Sequence, residues 1–216
     1  VLNQISTDII NCRRCPRLIG HCRTVAPRRS YADQTYWRKP VPGFGDPAAR
    51  LWIVGLAPGA HGANRTGRVF TGDRSGDFLF AALHRCGYAN QPASHWAGDG
   101  LELTDCFISA AARCAPPGNK PTPAELRNCS RFLDREWAAL TGKRVLLALG
   151  AIAWSAVLNH QQIRGIRFGH GVQTPLASGI TLVGSYHVSQ QNTFTGRLTP
   201  GMFDAVLCRC RTLCQA

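Results

Sequence analysis

The chain has 216 residues, 44% of them hydrophobic, enough to bury one sizeable core and to exclude a disordered or peptide-like product. Twenty-five Lys and Arg stand against 12 Asp and Glu, a formal charge of +13, and all but three of the basic residues are Arg, whose planar fork suits phosphate; an anionic partner is expected. The longest apolar run, residues 145 to 158, is too short to span a bilayer and is broken by Gly150, and the start VLNQISTDIINCRRC lacks a signal-peptide pattern, so a cytoplasmic protein without a membrane partner is expected.

Taken in chain order, the first signal is Cys12-x2-Cys15 followed by Pro16, a metal-ligating turn. Residues 38–48, RKPVPGFGDPA, form a Pro- and Gly-rich linker. Beyond it come four short apolar runs bounded by loop signals, residues 51–56, 105–110, 144–149 and 180–185, which suit buried strands. Helical periodicity lies between and after them, over residues 75–86, 122–140 (opened by a capping box of Thr122 and Glu125), 151–159 and 200–213. This alternation predicts a three-layer α/β/α sandwich around a central four-stranded parallel sheet. Ligands of such sheets bind beyond the carboxyl ends of the strands, at the loops.

Two of those loops are long and polar, and the first is rich in glycine. Residues 55–73, GLAPGAHGANRTGRVFTGD, follow the first strand; Gly62 and Gly67 have Walker-A spacing, but Arg68-Val69 replaces the lysine and hydroxyl that phosphate and magnesium require. Gly43, Gly45 and Ala48 mimic a dinucleotide fingerprint but precede a strand instead of following one. Asp73 closes the loop, either as the N-cap of the next helix or as a reactive acid. Residues 185–200, SYHVSQQNTFTGRLTP, follow the fourth strand and place His187 at the same sheet edge. One acid and one imidazole in convergent loops make a candidate active site, and no G-x-S-x-G elbow points to acyl transfer instead.

Ten cysteines without a secretory pattern argue for metal over disulfides. Cys114 and Cys129 flank the Pro-rich loop APPGNKPTPAELRN, and with Cys12 and Cys15 they supply four thiolates, fitting a [4Fe-4S] cluster or tetrahedral zinc. Cys22, Cys208, Cys210 or Cys214 could replace a ligand. Cys86 and Cys106, in a predicted helix and strand, read as small buried hydrophobes.

Together, the two long polar loops, the cysteine set and the Pro-Pro-Gly-Asn-Lys-Pro segment resemble the family-5 uracil-DNA glycosylases of bacteria and archaea, from about Cys12 to Thr199. The resemblance implies a single uracil-DNA glycosylase domain over residues 1–216, in which segment 1–48 contributes two cluster cysteines. It implies a [4Fe-4S] cluster on Cys12, Cys15, Cys114 and Cys129, with Asp73, His187 and Asn119 as catalytic residues. The flipped base would stack on Phe70 and be read by Asn119, His187 and the loop that carries Gly55, Gly59 and His61. Where related family-4 enzymes have a uracil-reading Asn this chain has Ala110, which implies broader substrates, such as hypoxanthine and etheno-adducts. The expected partner of this monomer is double-stranded DNA holding uracil or another damaged base, or single-stranded DNA, and Gln190, Gln191 and Phe194 are candidate wedges. Two alternatives remain: a glycosylase/lyase that forms a Schiff base through Lys120, and a non-catalytic iron-sulfur or zinc protein that binds nucleic acid.

Overall fold

A computed structural model describes residues 1–176 and 179–215. The four predicted strands are present as β2 (Leu51–Gly55), β3 (Cys106–Ala110), β4 (Val145–Leu149) and β6 (Thr181–Ser185), all parallel. Two short strands extend the sheet beyond the expected four. β1 (Phe44–Gly45), inside the predicted linker, runs antiparallel to β3, and β5 (Gln173–Pro175) runs antiparallel to β6, giving the order β1-β3-β2-β4-β6-β5.

Successive side chains of a strand face opposite layers, and here both layers are dry, hence the nearly unbroken apolar runs. Leu51, Ile53, Ile108, Val145, Leu147 and Val183 face one layer, packed against α4 (Arg74–Arg85) and α8 (Pro200–Gln215). Trp52, Val54, Phe107, Leu146, Ala148 and Leu182 face the other, against α5 (Pro123–Ala139) and α6 (Ala151–His160). The predicted helices agree with α4, α5, α6 and α8 to within two residues. The capping box of α5 is formed: Thr122 Oγ1 accepts from the Glu125 amide, and the Glu125 carboxylate accepts from the Thr122 amide.

Two N-terminal helices were not expected. In α1 (Leu2–Ile10) Ile5 and Ile9 bury against Phe132 of α5, and α2 (Pro16–Thr24) starts at Pro16, the residue type best suited to a first helical position. Arg17 of α2 holds the Glu125 carboxylate through two hydrogen bonds of 2.8 and 2.7 Å, fastening α2 to the start of α5. The two long polar loops also contain short helical turns, α3 (Ala63–Thr66) and α7 (Gln190–Phe194).

From β2 the chain crosses to β3 on one side, and the next strand, β4, lies on the other. The direction of winding therefore reverses between β2 and β4, and their carboxyl ends diverge into a crevice. Residues 55–73 and 185–200 border it. Among the described residues no helix is long and apolar enough to cross a membrane.

Candidate active site

Gly55, the last residue of β2, lies under the ring of Phe70: a Cβ at position 55 would come within 2.7 Å of that ring. Phe70 itself holds a left-handed backbone, φ +50°, rare for an aromatic residue, and its carbonyl is pressed against Gly76 where no side chain would fit. Backbone strain of this kind costs about 1–3 kcal/mol and persists where the surroundings enforce it. His187, two residues beyond β6, faces the same space, with its ring centroid 6.1 Å from that of Phe70 and the planes 36° apart. Gly150, after β4, sits against His187, where an added Cβ would come 3.3 Å from the His187 Cβ. A stacking ring and an imidazole thus flank the crevice.

Asp73 fills both of the roles expected for it. Its Oδ1 accepts from the Gly76 amide at 3.0 Å and caps α4. Its Oδ2 is left for other work and lies against the backbone of Gly59 and Gly62; a Cβ at Gly59 would meet that oxygen at 2.9 Å, and one at Gly62 would collide with it. Burial pushes the Asp73 pKa above the usual carboxylate value, against the pull of the Gly76 and Ser75 amides. Burial drives His187 the other way, down to about 4, so its imidazole is neutral at physiological pH. A buried carboxyl group and a neutral imidazole therefore share the site.

The remaining predicted residues divide. Gly59 follows the turn after β2, and among the described residues the amides of Gly59, Ala60, His61 and Gly62 donate to no other protein group. The His61 side chain is occupied elsewhere: its Nδ1 lies 3.0 Å from the Tyr36 hydroxyl, and burial followed by the charges of Arg28 and Arg65 lowers its pKa. Asn119 is exposed in a 3-10 turn, residues Pro117–Asn119, at φ +57°, and no hydrogen bond joins it to Phe70, Asp73 or His187. Lys120 beside it is also exposed, whereas Schiff-base lysines are activated by desolvation or a neighbouring cation. Ala110 pairs in register with Gly55, and Ala110 to Ala112 are all buried and apolar, so this strand end offers no side-chain amide to the crevice. Sequence reasoning passed over Gly62 and Gly150 as parts of the site. A glycine directly after a buried strand was the available signal for Gly150.

The cysteines fall into two groups. Cys15, Cys22 and Cys114 pack with Leu18, Ile19 and Ala115 in one apolar cluster, Cys12 lies beside α1 and α5, and Cys12, Cys15 and Cys114 act electrostatically on one another or on Cys129. The donor set is four thiols in an apolar shell, and the Asn128 side-chain amide donates to the Cys15 sulfur at 3.4 Å, as the groups around a metal-bound thiolate do. No group of three His, Cys, Asp or Glu converges tightly enough for a single ion among the described residues. Cys22 contacts Cys114 and donates weakly to the Ala115 carbonyl. The tail cysteines are remote from this set: Cys210 and Cys214 bury in the core against α4, near Tyr88 and Cys106, and Cys208 lies beside Cys86, whose pKa burial raises to about 11. They are not available as substitute ligands.

Residues 42–211 match the Uracil DNA glycosylase superfamily. The chain is 54% identical over 209 residues to a type-5 uracil-DNA glycosylase of Mycobacterium bovis, covering 94% of this chain and 78% of the relative. It is 52% identical over 205 residues to the type-5 enzyme of Thermus thermophilus, covering 94% and 93%. A type-4 uracil-DNA glycosylase of Pyrobaculum aerophilum is 28% identical over 169 residues, covering 78% and 70%.

Proposed function

The chain belongs to the uracil DNA glycosylase superfamily, and from that premise we propose how its crevice carries out the reaction. The protein is a DNA repair glycosylase that removes uracil by hydrolysing its N-glycosyl bond. C1′ of a stacked nucleotide is out of reach, so the target must leave the helix, at a cost of a few kcal/mol that mismatched pairs reduce. The extruded base stacks on Phe70 between the β2 loop and His187. As the bond stretches, positive charge develops on the sugar and negative charge on the departing base.

Asp73 answers the first charge. Its Oδ2, held against two glycines by a cap that fixes the other oxygen, stabilises the cationic sugar and orients the attacking water; this confinement is the observation that carries the assignment. His187 answers the second. A neutral imidazole donates an N–H to the base oxygen that gains negative charge, and the free amides of residues 59–62 add further donors to the base edge. Asn119 is assigned to the base edge by its motif, and not by any contact with Phe70, Asp73 or His187. With Ala110 at the end of β3, beside Gly55, that strand end offers no side-chain amide to select uracil, and the pocket accepts deaminated or damaged bases besides uracil, hypoxanthine among them. Phe194, 72% exposed on α7 just past His187, is placed to fill the gap in the duplex.

Cys12, Cys15, Cys114 and Cys129 hold a [4Fe-4S] cluster, which when bound ties the N-terminal helices to the turn carrying Asn119 and takes no part in hydrolysis. An all-thiol set in an apolar shell with an amide donor supports this reading. The whole chain then acts as one glycosylase domain, residues 1–48 supplying two of the ligands, and works as a monomer on duplex DNA in the cytoplasm, where ten free thiols are stable. Single-turnover release of uracil by the wild type and by the Asp73→Asn and His187→Ala variants tests the reading. Strong loss in both is expected, and undiminished release by either removes that residue from the mechanism.

A further inference from the structure

A cleft of about 550 Å³ opens beside Asp73, and its walls include Tyr31, Arg65, Arg74 and Asp77 together with His95 and Trp96. Trp96 is the unusual member. It is 59% exposed, although an indole is among the side chains that gain most from burial. It does not dangle. His95 stacks on it at 6.3 Å and 29°, and the amides of both residues donate to Asp99 Oδ2, at 2.7 and 3.3 Å.

Asp99 in turn is locked. It accepts two hydrogen bonds from Arg68, of 2.7 and 2.8 Å, and the side chains of this pair are only 5% and 2% exposed. Arg68 also donates to Thr71 and Ser94, while the Ser94 carbonyl accepts the Gly72 amide at 2.9 Å. A buried ion pair inside a surface loop is costly to desolvate, and here it joins the loop that displays Trp96 to the residue preceding Asp73. The outcome is a fixed aromatic face whose ordering entropy is spent before any ligand arrives.

Building on the glycosylase reading, we propose that His95 and Trp96 form a second nucleobase subsite, on which a base next to the lesion stacks while the target occupies the Phe70 pocket. Three features select a base of DNA as the occupant: the platform and Asp73 line one cleft, Arg74 stands in its wall as a cation for the backbone while Arg65 is held by Tyr31, His61, Gln34 and Gly72, and the chain carries +13. Extrusion unstacks two candidates, the orphaned base on the opposite strand and a neighbour on the same strand. Both present the same flat π face.

The test measures affinity for a short strand carrying a tetrahydrofuran abasic analogue, single or paired, using wild type, Trp96→Ala and Trp96→Phe. Stacking of one base is worth about 1–3 kcal/mol, so Trp96→Ala should bind about 5- to 150-fold more weakly, and Trp96→Phe, which keeps a ring, should recover most of that loss. The defect should show in affinity more than in single-turnover release of uracil at saturating DNA, a split that mere damage to the fold would not produce. Loss with the duplex alone assigns the orphaned base; loss with both probes assigns a same-strand neighbour. Unchanged affinity of Trp96→Ala for both probes, with uracil release by the wild type intact, overturns the platform alone, whereas a wild type that releases no uracil overturns the glycosylase reading beneath it.

Discussion

Replacing Asp73 by Asn separates its two jobs. Oδ1 caps α4 through the Gly76 amide at 3.0 Å, and Asn caps about as well as Asp, so the helix start should survive. What disappears is the charge on Oδ2. At roughly 4 Å and an effective dielectric near 20, two unit charges interact by about 4 kcal/mol, similar to the loss of one preorganised stabilising group in other enzymes. Single-turnover release should therefore slow by roughly 10²- to 10³-fold. Stability should move the opposite way. Burial raises the folded-state pKa of Asp73, so between its unfolded and folded values the folded protein binds more protons than the unfolded one; ionisation opposes folding, and that penalty grows as pH rises through the folded value. Asp73→Asn should thus unfold at the same or a higher temperature than the wild type at pH 7, while Asp73→Ala, which loses the cap, should lose about 1 kcal/mol. A slow, stable Asn variant and a less stable Ala variant are expected in thermal unfolding and quenched-flow assays. Release by Asp73→Asn within about threefold of wild type would refute the charge argument.

His187 has the opposite linkage. Its folded pKa of about 4 lies below the ordinary value of 6.5, so the unfolded chain takes up protons first as pH falls, and stability declines from pH 6.5 towards 4. The decline attributable to this residue is about 3 kcal/mol, and denaturant titrations of wild type against His187→Gln across that range should show it. Gly62→Ala puts a methyl group onto the Asp73 carboxylate; base release should fall about 100-fold or more with DNA affinity nearly intact, measured by single-turnover kinetics and by binding to an abasic analogue. Arg113 and Glu136 form a bidentate pair, each 1% exposed, beside Cys114, so Arg113→Ala strands a buried carboxylate and should cost about 3–5 kcal/mol in chemical unfolding. Cys12→Ser should lower bound iron and sulfide and loosen the N-terminal helices, seen by metal analysis and hydrogen exchange, whereas a zinc site would show zinc in the wild type and no sulfide.

Much of the sheet was legible because its four inner strands are buried on both faces and so read as apolar runs with sharp polar ends. The edge strands were not. Phe44–Gly45 and Gln173–Pro175 are two and three residues long, too short to show alternation, and they exist through pairing with β3 and β6 instead of through local preference. In α1 the spacing of Leu2, Ile5 and Ile9 was a readable helical pattern, overshadowed by the cysteine motif beside it. Asp73 and His187 could be paired from sequence because both follow strands whose carboxyl ends share an edge. Their opposite pKa shifts could not be read there, since each depends on how far neighbouring loops bury it. Asn119 shows the reverse: a residue recognisable by motif stands exposed in a left-handed turn, away from the groups it was expected to join. Trp96 left no signal, because an aromatic residue in a polar loop is commonplace until the buried Arg68–Asp99 pair that displays it is seen.

The most direct test of the account is product analysis with a duplex holding one U·G pair under single-turnover conditions, with borohydride in a parallel reaction. Hydrolysis through Asp73 and His187 predicts free uracil, an unbroken strand with an alkali-labile abasic site, and no protein–DNA adduct. Tight binding without free base would contradict the catalytic assignment, and a borohydride-trapped adduct lost in Lys120→Ala would replace hydrolysis by amine chemistry.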